Sequence, residues 1–102
     1  MKEHKIIIPR QFNDGRAVPL GWFDGFELAL VENFGGFTRT EAKGGYAMKD
    51  GSVKLEPVFT YTVAFEDTTN ESELLKYLAF KAKKALEQET IYIVLDNQVM
   101  FV

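Results

Sequence analysis

Glu56 closes the run Val53-Lys54-Leu55-Glu56-Pro57, beside a proline that cannot donate a ladder hydrogen bond, so its carboxylate could face a cleft at a sheet edge. The plainer alternative is an exposed strand glutamate that keeps the edge soluble. Gly44-Gly45-Tyr46 would let a ligand approach the backbone with the tyrosine hydroxyl beside it, or would form a bulge and a half-buried hairpin tyrosine. Glu87-Gln88-Glu89 falls where a helix should end, and a carboxylate there opposes the helix dipole, which points to a functional or interface role for one of the pair; the plainer alternative is a solvated helix end. Trp22 either stacks on a heterocycle or completes a core. Gly35-Gly36 follows a helix instead of linking a strand to a helix N-terminus, so it is not a phosphate loop. The chain has no cysteine and one histidine, His4, in the charged leader Met1-Lys2-Glu3-His4-Lys5. That excludes Cys/His pairs, a Ser-His-Asp triad, thiolate or His-rich metal sites and disulfides. An enzyme made from this chain works with carboxylates, tyrosine and backbone, a set suited to placement and charge compensation.

The elements that must position these groups follow from periodicity. Lys5-Ile6-Ile7-Ile8 before Pro9 is the pattern of a strand buried on both faces. Residues 10–19 lack periodicity and contain Asp14-Gly15, hence a loop. Phe23, Phe26, Leu30 and Phe34 recur at helical spacing from Leu20 to Phe34, and Gly35 follows as a C-cap. Phe37 to Met48 is a strand interrupted at Gly44-Gly45, and Lys49-Asp50-Gly51-Ser52 turns it into a second strand. There Phe59, Tyr61, Val63 and Phe65 alternate with Val58, Thr60, Thr62 and Ala64, giving one strongly apolar face and one mixed face. Asn70-x-x-Glu73 predicts a capping box opening a second helix, with Leu74, Leu78, Ala82, Ala85 and Leu86 as its apolar stripe and Lys76, Lys81, Lys83 and Lys84 as its solvated face. Ile91 to Leu95 is the last core strand, and Asp96-Asn97 turns the chain into Val99 to Val102.

The resulting order, β-α-β-β-α-β with a terminal strand extension, predicts an α+β, ferredoxin-like sandwich with both helices on one face of the sheet. Residues 1–102 form a single domain, with 46% hydrophobic and 14% aromatic content predicting an aromatic-rich core. The bare sheet face makes self-association the expectation. A net charge of -3 disfavours nucleic-acid binding and tolerates a cationic ligand. No apolar run approaches the ~20 residues of a membrane span, and no long apolar N-terminal segment suits a signal peptide, so a cytoplasmic protein is expected.

Phe34-Gly35-Gly36-Phe37 leading into Glu41-Ala42-Lys43-Gly44-Gly45-Tyr46, Glu56 before an alternating strand, and Leu86-Glu87-Gln88-Glu89-Thr90-Ile91-Tyr92 together resemble the phage-encoded S-adenosylmethionine-degrading enzymes. These are the SAM lyases, formerly called SAM hydrolases. The likeness runs over residues 34 to 95; the N-terminal third, with Trp22 and the 10–19 loop, has no counterpart in it. It implies a GlnB-like (PII-like) fold assembled as a trimer with active sites between subunits. It also implies cleavage of S-adenosylmethionine to 5'-methylthioadenosine and L-homoserine lactone. In that reaction the substrate carboxylate attacks its own γ-carbon, with no cofactor, metal or enzyme base, which agrees with the missing Cys and His. On that likeness Glu56 would hold the substrate ammonium, Tyr46 would fix the reacting chain, Glu89 would be a second carboxylate near the ligand, and Gly44 and Gly45 would admit the ligand to the backbone. The phage would use the activity to deplete the methyl donor of host restriction-modification systems. Two other readings of the chain are a non-catalytic PII-like trimer that binds a nucleotide or small metabolite, and an interaction protein that blocks a host partner.

Overall fold

The structure, a computed structural model, describes residues 1–102. In chain order the elements are β1 (Lys2–Pro9), α1 (Leu20–Phe34), β2 (Thr38–Ala47), β3 (Val53–Phe65), α2 (Glu71–Ala85), β4 (Tyr92–Leu95) and β5 (Gln98–Phe101). The sheet order is β2-β3-β1-β4-β5 with every neighbouring pair antiparallel. Its first four strands have the order of the split β-α-β double expected from the element sequence.

Alternation along the strands sends Ile6 and Ile8 of β1, Phe59, Tyr61, Val63 and Phe65 of β3, and Ile93 and Leu95 of β4 into one cluster with Phe23, Phe26 and Leu30 of α1 and Leu75, Ala79 and Ala82 of α2. Both helices therefore lie on the same face. The core is aromatic, as composition implies: Phe23 packs edge-on against Phe59 at 4.9 Å, Phe26 against Tyr61 at 5.2 Å, and Phe34 stacks on Phe65 at 5.0 Å. One polar tie crosses this layer. The Glu27 carboxylate of α1 accepts from the Tyr61 hydroxyl and from Arg39 of β2, each at 2.7 Å. Burial first, and then the neighbouring Glu27, push the Tyr61 phenol well above its usual range.

Several expectations change on contact with the structure. His4 is not part of a loose leader. It is a buried residue of β1, stacked on Phe65 at 4.0 Å, and its Nδ1 accepts the Asp96 N–H at 3.1 Å. An aromatic neighbour and a backbone donor make an imidazole a usable core side chain despite its charged surroundings in sequence. β1 is not buried on both faces along its length: beside buried His4, Ile6 and Ile8, the other face has Lys5 exposed and Ile7 half-exposed, with only Pro9 buried at its end. The glycines make no bulge, because the β2–β3 register runs unbroken from Thr38↔Thr62 to Ala47↔Val53. The capping box does not form: Asn70 is left-handed (φ 67°) without a side-chain cap, and the Glu71 carboxylate instead takes the Thr69 N–H at 2.7 Å. The buried stripe of α2 is Leu75, Ala79, Ala82 and Leu86, while Ala85 is exposed. Leu74 and Leu78 precede Leu75 and Ala79 by one residue, so two adjacent stripes fit the helical period and docking selects the second. The α1 boundaries and its left-handed Gly35 cap (φ 87°) agree with the sequence reading.

Candidate functional site

β3 has 13 residues and β1 only 8, and their pairing ends at Pro9↔Val58, so residues 53–57 run on with β2 as an overhanging hairpin. In an antiparallel strand a residue's N–H and C=O point the same way. The Pro57 carbonyl accepts the Arg10 N–H at 3.0 Å, so the proline's missing donor faces the side where the β1 ladder has stopped. The proline thus sits where no ladder donor is required, and a cleft opens beside it.

Residues two apart on a strand share a face, which places Lys54 and Glu56 together, and the register sets Gly44 opposite Glu56 and Tyr46 opposite Lys54. Tyr46 leans diagonally across the glycine. A Cβ at Gly44 would lie 3.1 Å from the Tyr46 hydroxyl oxygen, a distance at which one of them must give. Gly44 therefore leaves room for the tyrosine to lie toward Glu56, its diagonal cross-strand neighbour. Partial burial, followed by the charge and hydrogen-bonding pull of Glu56, raises the Tyr46 phenol above its ordinary range.

Glu56 is 8% exposed. Lys54 Nζ lies 3.8 Å from Glu56 Oε2 and 3.5 Å from the Asn13 Oδ1 of the 10–19 loop. Asn13 in turn donates from Nδ2 to the Glu87 carbonyl at 3.3 Å. Across the cleft, α2 ends in a Schellman turn in which the Gln88 N–H reaches the Lys83 carbonyl at 3.0 Å and Glu87 is left-handed (φ 55°). That turn delivers Gln88, Glu89 and Thr90 to the far wall. Tyr92 and Phe101, edge to face at 5.5 Å, make an apolar wall beside Ile7.

The result is a cavity of about 560 Å³, within the usual range for small-molecule sites. Tyr46, Glu56 and Glu89 all line it. Gly44 and Gly45 do not: the hydroxyl of Tyr46 fills the space over Gly44, and Gly45 has Leu55 at 3.3 Å from where its Cβ would stand. Trp22 lies elsewhere, stacked on Phe26 at 5.2 Å. The sequence reading passed over Asn13, Lys54, Gln88, Tyr92 and Phe101. Lys54 alone carried a local signal, being two residues before Glu56 in a strand. With two carboxylates against one ammonium, the cleft favours a cation.

No protein-family model and no curated protein matches the sequence. The fold is similar to that of a solved phage SAM lyase in complex with S-methyl-5'-thioadenosine. The TM-score is 0.75 at 12% identity, covering 98% of this chain and 87% of that one. It is similar also to a phage SAM lyase in its apo state, with a TM-score of 0.73 at 11% identity, covering 98% and 86%.

Proposed function

We propose that the chain is a SAM lyase that splits S-adenosylmethionine into 5'-methylthioadenosine and L-homoserine lactone. The convergence of Tyr46, Glu56 and Glu89 on one cleft carries the reading, because these are the side chains to which the family resemblance assigns substrate roles. The fold likeness to phage SAM lyases supports it, as does the excess of carboxylate facing a space that would receive a sulfonium and an ammonium.

In the proposed reaction a carboxylate oxygen of the substrate forms a bond to its γ-carbon as the bond from that carbon to sulfur breaks. The electron pair leaves on sulfur, which becomes a neutral thioether, and no proton moves. Charge is annihilated, so the protein's task is to fold the methionine chain into line and to exclude water. Glu56, nearly buried, holds the ammonium, and the Tyr46 hydroxyl, kept protonated, fixes Glu56 and the reacting chain. Glu89 supplies a second negative charge from the opposite wall. A trimer with sites between subunits would complete the open side of the cleft, and depletion of the methyl donor would serve a phage against host restriction.

Incubation with S-adenosylmethionine, followed by proton NMR against a heat-inactivated control, tests the proposal. Methylthioadenosine with homoserine lactone appearing before homoserine is the expected result. Homoserine appearing directly would mean hydrolysis, and unchanged substrate would remove the catalytic reading.

A further inference from the structure

The geometry points to Lys54 and Glu56 as a clamp for the two charged ends of an α-amino acid, with Lys54 taking the carboxylate, so that the cleft selects ligands with an intact amino-acid end. The inference rests on the lyase reading of the cleft. It starts from an ion pair that is close but incompletely made. At 3.8 Å, Lys54 Nζ attracts Glu56 Oε2 yet lies beyond the ~2.7–3.2 Å of a formed N–H···O bond. Its contact to Asn13 Oδ1, at 3.5 Å, is also long. An ammonium has three donors, so Lys54 is located by two weak partners and saturated by neither. Glu56, on the same face of β3, likewise keeps acceptor capacity for a second cation. Lys54 is the sole cation among the residues lining the cleft. An α-amino acid carries ammonium and carboxylate on one carbon, and two opposite charges side by side on a strand are its complement. Bound there, each ligand charge replaces half of the loose Lys54–Glu56 pair with a shorter contact.

The chemistry gives the clamp a particular kinetic signature. The carboxylate loses its charge as it attacks, so its attraction to Lys54 is strongest before reaction and weaker at the transition state. Lys54 therefore serves binding and selectivity, and its loss raises KM while leaving kcat unchanged or higher. One carboxylate oxygen held by a single ammonium leaves the other free to attack.

The test uses calorimetric binding of S-adenosylhomocysteine, whose neutral thioether is a poor leaving group, and of its decarboxylated counterpart. Native protein should bind the amino-acid form about tenfold to hundredfold more tightly, the value of a charge-assisted contact. Lys54→Met should abolish or invert that preference, since the remaining carboxylates favour the cationic decarboxylated form. Lys54→Arg should keep it. With S-adenosylmethionine, Lys54→Met should raise KM about tenfold or more at unchanged or higher kcat. A native protein that binds both ligands equally, a Lys54→Met variant with the native preference, or a fall in kcat at constant KM would overturn the clamp and leave the lyase reading standing. Failure of the native protein to bind either ligand or to turn over S-adenosylmethionine would overturn both.

Discussion

Tyr46 lies across Gly44, which stands opposite Glu56 and has no side chain to exclude the ring. Gly44→Ala should therefore act as a partial copy of Tyr46→Phe: the added methyl, 3.1 Å from the hydroxyl, moves the flexible end of the ring without moving the strand. Tyr46→Phe is expected to lower kcat/KM for S-adenosylmethionine about tenfold to hundredfold, and Gly44→Ala to lower it less, with melting temperatures close to native. Full activity in both would separate Tyr46 from the reaction. Tyr61 shows how a phenol instead serves the fold. Its folded pKa is raised, so its contribution to stability is complete below the unfolded value of about 10 and is lost as pH rises through the higher folded value. Tyr46 acts in the same sense. Thermal melts should be level from neutral pH to about 9.5 and fall above 10. Tyr61→Phe should cost about 1–2 kcal/mol at pH 7, where Glu27 loses a donor but keeps Arg39, and should flatten the alkaline fall. An alkaline fall equally steep in the variant would place its origin elsewhere.

The wall of the cleft that carries Glu89 depends on how α2 ends. Its Schellman turn sets Glu87 in the left-handed region, where glycine is normally found and other residues are strained. Glu87→Gly should stabilise the protein by about 0.5–1 kcal/mol, because the exposed ion pair of Glu87 to Arg16 at 3.7 Å offsets little of the relieved strain. A melting temperature at or below native would show that the turn is not strained. This turn also marks where the sequence stops being readable. The α1 cap was legible because Gly35 occupies its left-handed position, whereas at α2 the same geometry is hidden under a glutamate, a residue that gives no signal of it. Element order along the chain, the hairpin at Gly51 and the alternation of β3 were legible because each is a local pattern. Lys54 and Glu56 share a face by the same alternation. Asn13 was not legible: it matters through contacts to Lys54 and Glu87, 41 and 74 residues away, which no local periodicity encodes.

At the scale of the molecule, the sheet face opposite the helices is the unresolved energetic fact of a single chain. Ile7, Thr60, Thr62, Tyr92 and Val94 lie on it, each only half-buried, and the cleft opens at its end. The proposed trimer would bury this face and close the cleft, since Phe101, 67% exposed, borders both the cavity and the β5 edge. Val94 separates these roles because it pairs with Lys5 and Val99 on the open face and does not line the cavity. Val94→Lys leaves the packed side of the sheet alone and places a charge on a surface that association would dehydrate, which disfavours assembly without unfolding the chain. Sedimentation equilibrium should give a trimer for the native protein and a monomer for the variant, with equal helix content by circular dichroism. If neighbouring subunits complete the sites, turnover per chain should fall at least about tenfold in the variant, and native turnover per chain should decline on dilution through the dissociation range. A monomeric Val94→Lys protein with native turnover would mean that one chain holds the whole site, and that covering the sheet and building the cleft are independent.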